Sequence, residues 1–560
     1  MKIKEELNSL FNEALEKIGA TKRFEVNEAT KVEFGDYQFN GAMPLAKELK
    51  KNPRDIAKDI IEAIPKNNII SSLEIAGAGF INIKISSTFL EKAQLNIFKD
   101  SRAFIPKKDP IRVVVDYSSP NMAKQMHVGH LRSTIIGDAI ANLFEFLGDD
   151  VIRQNHIGDW GTQFGMLIAY LEEIKEEDAS LEDLEEFYKM AKAKFDSDSE
   201  FAKRAREYVV KLQRGDSYCK KLWKRFIDIS LSHCQEVYDK LDVSLSLENV
   251  RGESSYNDML DEIIKELEEK GLLVESEGAK CVFIDGFKAP LIVQKKDGGY
   301  LYATTDLAAI KFRAKELGAK RISYVVDARQ SEHFKMVFAV AKMANFVDED
   351  VKLEHISFGM MLNKDGKPFK TREGGVVKLV DLLDEAIKRA KETIKNREEL
   401  SDEELLRRAH IIGIGALKYA DLSINRESNY IFDWDKLLSL DGNTSLYQQY
   451  AYARIRSILR NFGEIKDEFK IESEIERRLA LKVASFEDIL IKAYKEAMPN
   501  IIANFLYELT TLFMRFYETH PILKEEDKIK QNSRALLAAN VAKTIKIGLN
   551  ILGIGVLERI

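Results

Sequence analysis

The sequence predicts a doubly wound, mostly parallel α/β core, preceded by a small α+β unit and followed by an all-helical one. Three observations predict it. Apolar runs alternate with helical periods from Ile111 to Met361. Upstream lies a separate helix-and-strand pattern, divided from the core by the link Pro106-Lys-Lys-Asp-Pro110. Beyond about Glu398 the strand signals fade and long helices dominate. A chain of 560 residues has room for about three or four such units, each with its own core.

Residues 1–105 open with a helix whose apolar stripe is Leu7, Leu10, Phe11 and Leu15. Short strands are expected at 32–34 and 81–85. Between them a helix over 52–63 starts at Asn52-Pro53, where proline suits the first helical position. Lys47, Lys50 and Lys51 fit either a structural cap or a surface that meets an anionic partner. The core, residues 106–397, begins with a buried strand at 111–116. A polar loop containing Pro120 follows, then a helix over 129–147 closed by Gly148, then a strand at 151–153. A charged helical insertion occupies about 171–240, and Asp297-Gly298-Gly299 reads as a hairpin turn. Alternation resumes with a strand at 322–327, a helix at 334–343 and a strand at 355–361. Two α/β halves split by an insertion make a Rossmann-like sheet with its ligand at the carboxyl ends of the strands.

Residues 398–560 read as a helical connector and terminal domain. Within them, 444–462 carries Arg454, Arg456, Arg460, three tyrosines and no acid. On a helix, Tyr447, Tyr450 and Arg454 share one face, while Tyr452, Arg456 and Arg460 share another. One reading makes these a core face of tyrosines beside a solvated face of arginines. The other makes them groups that stack on and pair with unpaired RNA bases.

Composition narrows the class. A formal charge of −6 is small for this length, so any nucleic-acid contact must use local patches. Cys219, Cys234 and Cys281 are far apart, which argues against a structural zinc site and a disulfide framework and suits a reducing cytosol. The opening Met1-Lys-Ile-Lys-Glu-Glu-Leu carries acids and a helical period, unlike a secretory signal. No apolar run approaches ~18 residues, so no membrane span is expected.

The densest chemistry lies in Asp116-Tyr-Ser-Ser-Pro-Asn-Met-Ala-Lys-Gln-Met-His-Val-Gly-His130. Strand, loop, helix is the layout in which backbone N–H groups at a helix start hold phosphate. The loop delivers His127 and His130 at i,i+3 spacing, with Gly129 between them allowing close backbone approach. Two such imidazoles can donate to an α-phosphate that gains charge during displacement. Asp116 and Asp306 sit at expected cleft positions. Asp306 reads equally as a helix cap after Thr304-Thr305, and Asp116 as a loop cap.

The same segment resembles the signature region of class I aminoacyl-tRNA synthetases, and its long form resembles the arginyl-tRNA synthetases. The likeness continues through Asn155-His-Ile-Gly-Asp-Trp-Gly-Thr-Gln-Phe-Gly165, Gln294-Lys-Lys-Asp-Gly-Gly-Tyr-Leu-Tyr302, Phe358-Gly-Met-Met361, Gly442-Asn-Thr and Tyr450-Ala-Tyr-Ala-Arg454, so it covers most of the chain. It implies ATP-dependent activation of arginine and transfer to the 2′-hydroxyl of tRNA(Arg), with ATP as substrate alongside Mg²⁺. It also implies that activation waits for tRNA. Asp116, Tyr302, Asp306 and Gln330 would recognise the guanidinium; Ser119, Asn121 and His130 would hold the ammonium and carboxylate. His127, Gly129, His130 and Lys124 would meet ATP, with His127, His130 and Lys124 catalytic. His333 would face the nucleotide or serve as a structural helix residue.

The Lys-Met-Ser-Lys-Ser loop of the class is degenerate here. The stretch Asn363-Lys-Asp-Gly-Lys-Pro-Phe-Lys-Thr-Arg-Glu-Gly-Gly375 takes its place, as either a polar surface loop or a phosphate loop. Lys367, Lys370 and Arg372 supply its charge, and Lys124 shares the compensation. Residues 1–105 would reach the tRNA elbow, and Tyr447, Tyr450, Arg454 and Arg456 the anticodon side. A guanidinium selected by paired carboxylates needs no editing domain, and the helical insertion lacks the β-rich composition of one. The default oligomeric state is a monomer, and the default location the cytoplasm. Three rivals are weaker: a catalytically silent RNA-binding paralogue, a small-metabolite adenylyltransferase, and a synthetase for another amino acid. The intact His127/His130 pair, the two extra domains and the Asp116/Asp306 pair argue against them in turn.

Overall fold

The structure, a computed structural model, describes residues 2–174, 184–369, 377–395 and 400–560. The first sheet is antiparallel, in the order β1 (Val26–Glu28), β2 (Tyr37–Phe39), β4 (Phe80–Ile85), β3 (Ile70–Ala76). Helices Ile3–Lys17 and Pro53–Ala63 cover it, burying Leu7, Phe11, Leu15, Ile56 and Ile60 against Ile81 and Ile83. Asn52 caps the second helix, its side chain accepting from Arg54 N. Residues 32–34, expected as a strand, form a single 3₁₀ turn instead. Gly35 follows at φ +83°, a left-handed conformation, with a single bridge to Ile83, and the regular ladder begins at Tyr37.

The core sheet is wholly parallel, in the order β11 (Lys352–His355), β10 (Arg321–Tyr324), β5 (Arg112–Asp116), β6 (Asp150–Gln154). Its central strand is buried on both faces. Val113 and Val115 join the apolar cluster shared with helix Val128–Leu147, while Val114 joins that of helices Tyr302–Lys311 and Ser331–Met343. From β5 the chain winds outward to β6, and from β10 to β11. The crevice therefore opens where β5 and β10 end, at Asp116 and Tyr324.

Two expected strands differ in the fold. The run 322–327 stops at Tyr324, because Asp327 turns to accept from Arg329 N. The run 355–361 is not one strand. Pairing with β10 ends at His355, and Gly359 N donates to Arg426 O at 2.9 Å, drawing the chain away. Met361–Leu362 (β12) then pairs with Tyr430–Ile431 (β13), outside the core sheet. A small antiparallel sheet, β7 (Leu273–Ser276), β8 (Ala279–Val282) and β9 (Leu291–Gln294), precedes the expected turn at Gly298. That turn closes with Lys295 N donating to Gly299 O at 2.8 Å.

The insertion is helical at Leu184–Ser197, Ser199–Gln213 and Ser217–Lys240; residues 175–183 lie outside the described ones. So does the expected boundary at 397/398. Beyond it, helices Asp402–Leu422, Ser445–Phe462, Glu474–Ala484, Phe486–Glu496, Pro499–Thr519 and Lys528–Ile551 pack together. The N-terminal unit docks on them through Arg477, whose guanidinium grips Asp36 at 2.6 Å with both side chains buried. Among the described residues, no helix is long and apolar enough to cross a membrane.

Candidate active site

At the start of helix Val128–Leu147 the two imidazoles fold onto the backbone. His127 Nδ1 accepts from Gly129 N at 3.0 Å, and His130 Nδ1 accepts from His127 N at 3.1 Å, a reciprocal cap with ring centres 4.1 Å apart. A Cβ on Gly129 would lie 2.7 Å from His127 Cε1, so this glycine is needed first for the His127 ring itself. Burial and the nearby Lys124 lower the His127 pKa; burial and His127 bring His130 down to about 3. Both rings are therefore neutral at pH 7. With Nδ1 used as acceptor, each proton sits on Nε2, which leaves two N–H donors at a helix N-terminus.

The degenerate loop is tied to this turn by backbone. Val128 N donates to Val377 O at 3.1 Å, and Leu379 N to Met126 O at 3.0 Å. The loop's exit thus pairs with the histidine motif. Its entrance turns back at Gly366, where Asn363 N donates to Lys367 O at 2.8 Å. Lys367 is exposed there, whereas Lys364 is bound to Asp433 and Asp435, each at 3.0 Å. Lys370, Arg372 and Gly374-Gly375 lie outside the described residues. The Lys124 ammonium sits over the Tyr188 ring of the insertion, 5.0 Å from its centre.

Beyond β5 the chain kinks through two left-handed residues, Ser118 at φ +71° and Ser119 at φ +45°. Ser119 is held by its Oγ donating to Asp116 Oδ1 at 2.8 Å and its N donating to Asn155 Oδ1 at 3.0 Å. Asn121 follows, exposed. Its side chain lies where Gly158 has no Cβ, which would sit 2.2 Å from Asn121 Oδ1. Asp116 is itself buried, and its Oδ2 accepts from Arg313 Nη2 at 2.7 Å. The carboxylate expected to meet a substrate guanidinium is thus already paired with the chain's own.

Further acids come from elsewhere. Helix Tyr302–Lys311 starts after Leu301, so Asp306 lies inside it and the cap reading of Asp306 falls away. Its Oδ2 bonds His333 Nε2 at 2.6 Å, which places His333 at the acid end. Glu253, in the segment after the insertion, was not singled out in the sequence. Its pKa rises to about 8, through burial first and then the charges of Asp159 and Asp306. Asp159 is held by Ser254, with N at 2.9 Å and Oγ at 2.5 Å. Tyr302 stands at the mouth, 68% exposed, its phenol pKa raised by burial and by Glu253. Gln330 is exposed at the start of helix Ser331–Met343. Glu253 thus feels the charge of Asp306, and its turn, Glu253–Met259, packs against the helix that carries Tyr302 and Asp306.

Comparison with known proteins decides the family. The family model described as "tRNA synthetases class I (R), catalytic domain" matches residues 94–434. This chain belongs to the arginyl-tRNA synthetases. The model for the arginyl-tRNA synthetase N-terminal domain matches residues 5–85, and that for the DALR anticodon binding domain matches 448–560. The arginine--tRNA ligases of Chromobacterium violaceum and Hahella chejuensis are each 51% identical, over 95% of both chains. The solved arginyl-tRNA synthetase of Plasmodium falciparum superposes with a TM-score of 0.89 at 33% identity, covering both chains completely. That of Thermus thermophilus, at 24% identity and a TM-score of 0.86, shares the fold.

In this synthetase the terminal helix Ser445–Phe462 divides its basic residues. Tyr452, Arg456 and Arg460 face the C-terminal segment, with Tyr452 buried, Arg456 partly exposed and Arg460 exposed. Tyr452 is buried with its hydroxyl on Glu558 Oε1 at 2.8 Å, Arg456 Nε meets Glu558 Oε2 at 2.8 Å, and Arg460 donates to Glu558 O at 3.2 Å. Arg456, expected to meet RNA, pairs with Glu558 while its side chain stays 40% exposed. Tyr447, Tyr450 and Arg454 stay half exposed, with the Arg454 guanidinium 4.9 Å from the Tyr517 ring centre and Tyr447 edge-on to Tyr507.

Proposed function

We propose that this chain activates L-arginine with ATP and transfers it to the 2′-hydroxyl of the terminal adenosine of tRNA(Arg). The observation that supports the substrate is the placing of Glu253 and Asp306 within reach of each other's charge: burial first, then Asp159 and Asp306, lift Glu253, and a guanidinium beside them favours its ionised form. Tyr302 and Gln330 are assigned to the same side chain. Ser119, Asn121 and His130 are assigned to the amino acid's ammonium and carboxylate, and Asp116 acts on them through Ser119 rather than by direct contact.

The arginine carboxylate attacks the α-phosphorus of ATP and pyrophosphate leaves. His127 and His130 donate from Nε2 to the phosphate oxygens that gain charge, Gly129 gives the backbone access, and Lys124, Lys367, Lys370 and Arg372 share the compensation. ATP enters as its Mg²⁺ complex. The donors of the histidine turn are neutral or cationic, so the ion would be carried by the triphosphate. No dedicated base is assigned to the transfer step; the adenylate phosphate accepts the proton of the ribose hydroxyl. We assign residues 1–105 to the tRNA elbow, 106–397 to catalysis and 398–560 to the anticodon side, with Tyr447, Tyr450 and Arg454 as RNA contacts, in a cytoplasmic monomer. Charging of purified tRNA by each amino acid tests the reading: arginine alone is expected to be attached, and attachment of another amino acid in its place overturns it.

A further inference from the structure

Arg313 is a cation in the wall of a pocket built for cations. It is wholly buried, donates Nη2 to Asp116 Oδ2 at 2.7 Å and Nε to Gln154 Oε1 at 2.6 Å, and lies with Cζ 4.9 Å from the Tyr324 ring centre. The ends of β5, β6 and β10 thereby fix the plane of its guanidinium. It sits in the π-helical turn Phe312–Glu316, which continues the helix that carries Tyr302 and Asp306. A buried arginine costs much desolvation, and removing it leaves its partner's charge buried and uncompensated. That partner, Asp116, uses its other oxygen on Ser119 Oγ at 2.8 Å and so holds the left-handed kink Ser118–Ser119.

We propose that Arg313 is a positioning residue of the amino-acid pocket: it saturates Asp116, so that this carboxylate shapes the Ser118–Ser119 kink and the incoming guanidinium is left to Glu253 and Asp306. The inference rests on the arginine reading above. Charge accounting supports it. Asp116 and Arg313 cancel, which leaves Asp159, hydrogen-bonded to Ser254, and Asp306, bonded to His333, as the acids whose charges act on Glu253. A lysine at 313 cannot serve, because an ammonium lacks the planar fork that meets Asp116 and Gln154 together.

The test is a cycle in the full-length enzyme with tRNA(Arg), using R313M, R313K, D116N and the double variant D116N/R313M. Apparent constants for arginine and ATP are measured beside the melting temperature. R313M is expected to raise the arginine constant by about 10–100-fold while the ATP constant moves less than about twofold, and R313K to recover little. The double variant is expected to bind arginine at least about fivefold better than R313M, because no uncompensated charge remains. If R313M does not fold, R313Q carries the same readout. A variant that melts lower but binds arginine normally makes Arg313 merely structural and overturns the proposal, as does a double variant no better than the product of the singles. Wild-type enzyme that fails to charge arginine overturns the substrate reading instead, before any variant is compared.

Discussion

At the histidine end of the cleft, His127 and Gly129 are exposed and the ring nitrogens bond only to backbone amides of their own turn. At the acid end, Asp116, Asp159 and Arg313 are almost wholly buried and bonded across β5, β6, the helix after β9 and the 252–255 segment. The acid end is held in place by the chain's own bonds, which suits selection of one side chain by charge. The histidine end holds two neutral donors; of its described cations, Lys124 rests on Tyr188, Lys364 on Asp433 and Asp435, and Lys367 is exposed. The proposed reading follows this contrast: the acid end selects the amino acid, and RNA binding completes phosphate stabilisation.

The largest effect that would sharpen this contrast belongs to the open end. Lys124→Ala is expected to slow arginine-dependent ATP–pyrophosphate exchange, with tRNA present, by about 10²–10³-fold, the scale of losing one preorganised charge. Arginine affinity should hold. A near-normal rate would hand the role to Lys367, Lys370 or Arg372. Next comes Asp306→Asn, nearly isosteric, which should weaken arginine by about 2–4 kcal/mol and leave ATP binding alone. Equal losses for both ligands would mean that the substitution damaged the fold rather than the pocket.

A smaller, pH-dependent effect distinguishes the two ends further. The Glu253 pKa of about 8 means that this acid is largely protonated in the free enzyme at pH 7. A guanidinium binds its ionised form, so arginine binding at pH 7 should release up to about one proton, and the apparent arginine constant should fall as pH rises through 8. Calorimetry in buffers of different ionisation enthalpy measures the release. Glu253→Gln should abolish it, and release unchanged in that variant would remove Glu253 from the pocket. The smallest effect lies far away. Tyr450→Ala and Arg454→Ala should raise the apparent tRNA constant by about 3–10-fold with arginine unaffected, Arg454 also lowering the salt dependence. A lower melting temperature with unchanged tRNA affinity would make both structural.

Much of this was legible in the residues, and the omissions have physical causes. The apolar run 113–115 ending at Asp116, a histidine pair after it and a helical period closed by Gly148 locate β5, the phosphate turn and its helix, because each is a local signal. The pairing of Asp116 with Arg313 is not local: it joins residues of β5 to a helix after β9 and exists only once β10 lies beside β5. Glu253 carries no periodicity or turn signal, and only the nearness of Asp159 and Asp306 marks it. The Glu558 contacts of Tyr452, Arg456 and Arg460 likewise need the C-terminal segment to return. The misplaced strand at 355–361 had the right composition, yet Gly359 and the 426–431 segment took the chain out of the sheet.

The claim that the amino-acid pocket is ready while the phosphate site is completed on RNA binding is tested most directly by ATP–pyrophosphate exchange with arginine, run with and without tRNA(Arg), beside equilibrium arginine binding to the free enzyme. Arginine should bind without tRNA, and exchange should stay near background until tRNA is added. Robust exchange in the absence of tRNA would contradict the account.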